Sequence, residues 1–378
     1  MLEDFLNKKP LYYDEIDYTR MPRVYKRIKS YLPSPKIIHI IGTNGKGTTG
    51  RFLATALHHR GYRVGHYTSP HILTFNERIW IDGQDVCDEA LQQAHQKLLS
   101  FLTQEEAESL SYFEYTTFLA MVLFDGLDFV VLEAGLGGEH DATAVFKKQL
   151  TLVTPIDKDH EAFLGSSIKE IATTKLKAIQ KDAIFTLQKH QEVYEVAKNL
   201  HISWFDTRDF LELEDKQKIQ NIAKKLSLAP YLQENLKLSI SALKFFGISY
   251  DEKDFEDAKL FGRLTHLAKN IIIDVGHNVL AAKAIVKSLE GKKYTLIYNS
   301  YKDKEYEKIL MILQPIIKEV LLIEIEDQRI EDITFLEDTL KQLHLIYHTF
   351  DGKIDEKEEY LVFGSFKVVE AFLGVYNG

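Results

Sequence analysis

Cysteine is almost missing from this chain: Cys87 stands alone among 378 residues. No internal disulfide can form, so the expected compartment is a reducing one, the cytoplasm. Long apolar runs are missing too. Nothing approaches the roughly 20 consecutive apolar residues that cross a bilayer, so no membrane role is expected. The stretch Met1–Pro10 mixes acids with lysines and has no apolar segment of signal-peptide type. A basic excess is also lacking. The formal net charge is −9, which argues against a nucleic-acid partner. It does not exclude an anionic small molecule, because local Lys and Arg decide that. Repeats and low-complexity segments are absent. What is present is globular composition, 45% hydrophobic and 27% charged, with length for about two domains of about 150 residues each. Monomer is the default expectation.

Short apolar runs alternate with longer mixed segments. Lys36–Ile41, Asp128–Glu133 and Gln149–Pro155 read as buried strands, while Gly47–Arg60 and Ile168–Lys181 read as helices. This alternation predicts an α/β fold with a largely parallel, doubly wound sheet. The rhythm restarts near residue 270. Asn270–Val275, Tyr294–Tyr298, Glu319–Ile325, His344–His348 and Tyr360–Phe363 are strand candidates. Between and after them, Leu280–Leu289, Glu305–Leu313, Phe335–Leu340 and Phe366–Leu373 read as helices. The expected organisation is a first domain over residues 1–262, a linker over 263–269 and a smaller Rossmann-like α/β domain over 270–378. The charged run Asp351–Glu359 reads as a solvated loop.

The strongest motif is Gly42-Thr43-Asn44-Gly45-Lys46-Gly47-Thr48-Thr49, between a predicted strand and a predicted helix. That context makes a glycine-rich string a P-loop-type phosphate cradle. Glycines let backbone N–H groups approach phosphate oxygens, the helix N-terminus adds partial positive charge, and Lys46 adds a full one. The spacing is two residues shorter between the glycines than the usual P-loop; the alternative is a tight strand–helix turn. Glu133-Ala-Gly-Leu-Gly-Gly138 puts an acid at a strand's carboxyl end, where open α/β sheets bind ligands. Glu133 is a magnesium-ligand candidate or an ordinary strand-end residue. Asp159-His160 follows another strand. By chemistry alone His160 is a loop residue, since magnesium prefers oxygen. In Asp274-Val-Gly-His277-Asn278, the Asp suits ribose hydroxyls or a simple turn. Arg263 suits a phosphate or a solvated surface.

Taken together and in this order, the motifs resemble the Mur ligase superfamily, and within it the folylpolyglutamate synthase/dihydrofolate synthase enzymes. The resemblance rests on the loop at 42–49, Tyr67–Ile72 (YTSPHI), Asn76-Glu77-Arg78, Tyr112–Phe118 (YFEYTTF), Glu133–Gly138, Asp141-Ala142-Thr143, Asp159-His160 and Asp274–Asn278, with Asn235 and Phe261-Gly262-Arg263 at further family positions. TSPH and FEY distinguish the folate branch from the muramyl branch.

The resemblance implies an ATP- and magnesium-dependent ligase that joins L-glutamate to dihydropteroate, to reduced folates, or to both. A carboxylate would be activated as an acyl phosphate and attacked by the glutamate amine. By this resemblance Ser69, Glu133 and His160 are magnesium ligands, and Asn44, Gly45, Lys46, Gly47, Thr48, Thr49, Asn235, Arg263 and Asp274 hold ATP. Lys46, His160, Lys175 and His277 are the implied catalytic residues, with the second domain closing over the nucleotide. Lys175 aligns with a lysine that is carbamylated in the family; by its local sequence it reads as an exposed helix lysine. Asp17, Tyr18, Thr19, Tyr112, Phe113, Glu114, Tyr115, His140, Asp141 and Ala142 match segments that contact the pterin, although Tyr112, Phe113 and Tyr115 also suit a helix core. The sequence departs from the family at Glu139, where arginine is common, at Ala144 (asparagine), at Leu176-Lys177 (Ala-Gly) and at Val279 (proline). The rival readings are a muramyl-type amino-acid ligase, a P-loop NTPase switch, which would hydrolyse ATP without an amide product, and a non-catalytic nucleotide-binding module.

Overall fold

The computed structural model describes residues 1–9 and 17–376. Pro10, at the end of the N-terminal stretch read above, and the last two residues of the expected 270–378 domain lie outside the described residues. The chain forms two compact units. One comprises Met1–Ser227 and Leu232–Lys259, the other Leu228–Tyr231 and Leu260–Gly378.

In the first unit eight strands form one sheet: β1 (Lys36–Ile41), β2 (Val64–Tyr67), β3 (Ile79–Ile81), β4 (Gln84–Asp85), β5 (Phe129–Glu133), β6 (Lys148–Val153), β7 (Asp182–Phe185) and β8 (Ser203–Asp206). Their order is β4-β3-β2-β5-β1-β6-β7-β8. From β2 to β8 all neighbours run parallel, and β3 and β4 extend the sheet as an antiparallel edge. Both faces of β1 are covered, so Ile37–Ile41 are buried without alternation. On one face Val130 and Leu132 pack with Val24, Tyr115 and Phe118. On the other Ile41, Val153 and Phe185 pack with Ile171 and Val193. Strands β2, β3, β4, β7 and β8 have at most four residues each, too short to stand out in the sequence.

The helix expected over Ile168–Lys181 stops at Leu176. The Gln180 side chain holds the following turn, accepting from Lys148 N at 3.0 Å and donating to Phe146 O at 3.2 Å. The chain then enters β7.

The second unit has a six-stranded sheet of β9 (Thr265–Ala268), β10 (Ile271–Asp274), β11 (Tyr294–Tyr298), β12 (Ile317–Leu322), β13 (Tyr347–Thr349) and β14 (Tyr360–Phe363). The order is β13-β12-β11-β14-β10-β9, parallel except for β9. The segment expected as a linker over 263–269 therefore contains a strand. Thr265 pairs with Ile273, so backbone pairing with β10 overrides the segment's weak sequence pattern. Among the described residues no helix is long and apolar enough to cross a membrane.

Candidate active site

β1 lies between β5 and β6, while β2, the next strand in sequence, lies beyond β5. The connection from β5 to β6 runs the other way, across β1, and open parallel sheets bind ligands at such a switch point, outside the strands' carboxyl ends. Three segments emerge there: Gly42–Thr49 after β1, Ala134–Gly138 after β5 and Thr154–His160 after β6.

The first is held in place from below. Thr43 N donates to Pro155 O at 2.9 Å, and Thr43 Oγ1 donates to Asp157 O at 2.9 Å. Gly42 has φ +138°, and a Cβ there would collide with Thr154. Gly45 caps the Lys46–His59 helix in the left-handed region, at φ 89°. A Cβ on it would strike the buried Asn235 carboxamide. Glycine is required at both positions for conformation and for space. Within the first turn of this helix, the hydroxyls of Thr48 and Thr49 are buried without a hydrogen-bond partner among the described residues. Orphaned hydroxyls beside a helix N-terminus suit an anion.

Lys46 curls over its own loop, donating to Thr43 O at 3.1 Å, and its Nζ lies 4.0 Å from Glu133 Oε1. Glu133, 5% exposed, ends β5. Its Oε2 accepts from Thr68 Oγ1 and, at 3.3 Å, from Ser69 N. The structure thus brings Ser69, Glu133 and Lys46 together. Thr68, which the sequence reading passed over, secures the carboxylate; its position directly after buried β2 was the available signal. His160 caps the Glu161–Leu164 helix in a left-handed conformation, with Nε2 4.0 Å from Asp159 Oδ1. Among the described residues no three His, Cys, Asp or Glu side chains form a metal cage. Magnesium needs none, since it takes one or two carboxylates with waters and phosphates. A buried carboxylate beside the loop lysine, with a serine next to it, fits that chemistry.

Lys175 is not an exposed helix lysine. It is 5% exposed, and Nζ donates to Gly42 O at 2.9 Å. Burial first, and then the charge of Lys46, bring its pKa down to about 7, against the opposing pull of Asp159 and Asp141. Its backbone is crowded by Gly138, where a Cβ would strike the Lys175 carbonyl. Two of the family departures meet beside it: Lys177 Nζ lies 2.9 Å from Glu139 Oε2.

The segments matched to pterin contacts divide into two groups. Tyr18 and His140 face each other with ring centroids 4.2 Å apart. Asp17 accepts from Thr19 N and Oγ1, bonds that lower its carboxyl pKa, and Thr19 caps the Arg20–Ile28 helix. Tyr112 packs under the Arg78 guanidinium, and Phe113 lies against Gly135, where a Cβ would meet its ring.

The rest are turned inward. Tyr115 is fully buried, its hydroxyl 2.6 Å from His95 Nδ1, so it is a core residue and not a contact. Glu114 closes the capping box of the Tyr112–Leu123 helix and pairs with Arg20 Nε at 2.8 Å. Asp141 is buried, accepting from Leu136 N and from Thr143, and Ala142 lies in the core. Burial raises the Asp141 pKa despite those bonds. Beneath this loop Lys148 donates to Ala144 O at 2.5 Å and His39 Nε2 meets Thr143 Oγ1 at 2.7 Å, neither foreseen from the sequence.

In the second unit Asp274 is buried at the end of β10. Oδ2 accepts from Tyr231 OH and Leu264 N, each at 2.9 Å, and Oδ1 from Gly276 N at 2.8 Å. Burial raises its pKa, with Arg263 opposing. The Arg263 guanidinium lies 5.2 Å from the Phe366 ring, and His277 Nδ1 is 3.2 Å from Val275 O.

No family model matches the chain. Curated relatives do. The chain is 31% identical to the dihydrofolate synthase/folylpolyglutamate synthase of Haemophilus influenzae, over 96% of this chain and 93% of that one. It is 31% identical to the Escherichia coli protein of the same name, over 73% and 69%. Among solved structures it resembles Helicobacter pylori folylpolyglutamate synthetase, with TM-score 0.79, 37% identity and coverage of 99% and 97%. Escherichia coli FolC in complex with DHPP and ADP gives TM-score 0.82 at 26% identity, with the same coverage. Near-complete overlap with the Haemophilus protein, joined to a shared two-domain fold, shows that the chain belongs to the dihydrofolate synthase/folylpolyglutamate synthase family of ATP-dependent ligases.

Proposed function

We propose that this ligase carries both activities in its family's name, joining glutamate to dihydropteroate and to reduced folates. The observation that carries the reading is one cluster: the Gly42–Thr49 loop with its orphaned hydroxyls, Lys46 4.0 Å from Glu133, and Glu133 held by Thr68 and Ser69. The E. coli relative's complex with DHPP and ADP supports a pteroate-type substrate beside a nucleotide.

In this reading Lys46 and the loop N–H groups bind the phosphates of ATP. Phosphoryl transfer to a substrate carboxylate gives an acyl phosphate, and the glutamate amine attacks it and expels phosphate. The protein's part is positioning and charge neutralisation. Glu133, Ser69 and His160 would hold magnesium, which supplies neutralising charge at the phosphates. Asn235 sits against Gly45 and shapes the loop. Arg263, Asp274 and His277 are further proposed nucleotide contacts. The three donors already on Asp274 favour a role in shaping the Leu264 turn. Burial, and then the charge of Lys46, lower the Lys175 pKa to about 7 and so favour the neutral amine, the form whose nitrogen adds to carbon dioxide to give a carbamate and a proton. Tyr18, His140, Tyr112 and Phe113 are the aromatic surfaces offered to a flat pterin. We further propose a cytoplasmic monomer.

The test is phosphate release from ATP with glutamate and either dihydropteroate or tetrahydrofolate, with products identified by mass. Amide formation on both is expected. Extension of tetrahydrofolate alone would leave a single activity. Hydrolysis with no amide product would favour the NTPase switch.

A further inference from the structure

Arg20 and Glu114 form a buried pair between residues 94 positions apart, Arg20 Nε to Glu114 Oε2 at 2.8 Å, with side chains 10% and 11% exposed. Arg20 is the first residue of the Arg20–Ile28 helix, directly after Tyr18 and Thr19. Glu114 lies in the first turn of the Tyr112–Leu123 helix, directly after Tyr112 and Phe113. The pair therefore joins two helix starts, one next to the exposed Tyr18 and the other bearing the half-buried Tyr112 and Phe113. The same Glu114 oxygen accepts from Ser111 N at 2.7 Å, so one carboxylate fixes both the cap and the crossing. A third charge stands nearby, favoured by Glu114 and opposed by Arg20. Lys9 Nζ donates to Ala107 O and Leu110 O and stands over the Phe5 and Tyr115 rings. It also feels the charges of both Glu114 and Arg20.

Fastening the helix does not require this pair. Arg27, farther along, already ties it to Glu106 and to Phe101 O. A cap at Ser111 needs only an acceptor, which glutamine supplies as well. Two charges taken out of water gain little net stability over apolar packing; what they specify is geometry.

We infer that Arg20 and Glu114 are positioning residues that set the separation between the Tyr18 segment and the Tyr112–Phe113 segment, and so govern binding of the pteridine end of the substrate. The inference rests on the pteroyl-substrate reading above. Neither residue touches the reacting atoms. Displacing a substrate-facing segment by about an ångström is enough to cost about a hundredfold.

The experiment compares Arg20→Met, Glu114→Gln and the double variant with wild type, taking KM for the pteroyl substrate, KM for ATP, kcat and Tm. Arg27→Ala serves as a control for a purely structural pair on the same helix. A rise of about tenfold or more in the pteroyl KM is expected in each single variant, with KM for ATP within about twofold. The double variant should be no worse than the worse single, because the two act as a unit. Arg27→Ala should leave every KM unchanged. Should Arg20→Met fail to fold, Glu114→Gln and Arg20→Lys decide the matter. An active wild type whose variants lose only Tm or active fraction, at unchanged pteroyl KM, overturns the inference alone. A wild type that joins glutamate to neither pteroyl substrate overturns the functional reading, and this inference with it.

Discussion

Replacing Lys175 by methionine should stabilise the fold while abolishing the reaction. In the unfolded chain this amine keeps its proton up to about 10.5, whereas in the fold burial and Lys46 bring it to about 7. Between those values the unfolded chain binds the additional proton, so stability rises with pH across that window and is lowest below pH 7. A gap of about 3.5 pH units, at about 1.36 kcal/mol each, is a penalty on the order of 5 kcal/mol in acid, about 4 at pH 7 and about 2 at pH 9. Methionine removes that penalty, and with it the 2.9 Å bond from Nζ to Gly42 O. Losing such a bond costs about 1–2 kcal/mol. The variant should therefore exceed wild type by about 2 kcal/mol at pH 7 and lose the advantage near pH 9. Denaturant unfolding in carbon dioxide-free buffer, from about pH 6.5 to about pH 9, measures the difference. Lys9 and Lys148, each brought to about 8 by burial, titrate in both proteins and cancel. A variant less stable than wild type at pH 7, or an advantage that does not shrink as pH rises, refutes the reasoning.

Lys46→Ala should lower turnover by on the order of a hundredfold or more and change stability by less than about 1 kcal/mol, since the lysine is only partly buried and its hydrogen bonds stay within its own loop, to Gly42 O and Thr43 O. Nucleotide-analogue titration beside a thermal melt separates the two effects, and near-normal nucleotide affinity would sink the phosphate-loop assignment. Glu133→Gln keeps an acceptor for Thr68 and Ser69 but removes the charge facing Lys46. Turnover should fall about a hundredfold and the magnesium requirement should rise, with Tm nearly unchanged. Wild-type turnover at the same magnesium concentration would contradict its role as a ligand.

Much of the phosphate site was readable because its determinants are adjacent in sequence. A buried strand, three glycines, a lysine and three threonines within residues 36–49 dictate a strand, a left-handed cap and a helix start. The acid ending β5 was readable for the same reason. The restart of strand–helix alternation near residue 270 showed where a second sheet begins. Burial and partnership were not readable. Lys175 looks like a solvated helix lysine until Gly42, 133 residues away, receives its amine. Glu114 and Tyr115 sit in the FEY motif directly after Tyr112, yet the fold buries them against Arg20 and His95. The short strands β2–β4, β7 and β8, and the strand inside the expected linker, exist because neighbours complete their hydrogen bonds. Local chemistry is written in consecutive residues, but whether a charge is buried, and what answers it, depends on segments about a hundred residues apart meeting in a packed interior.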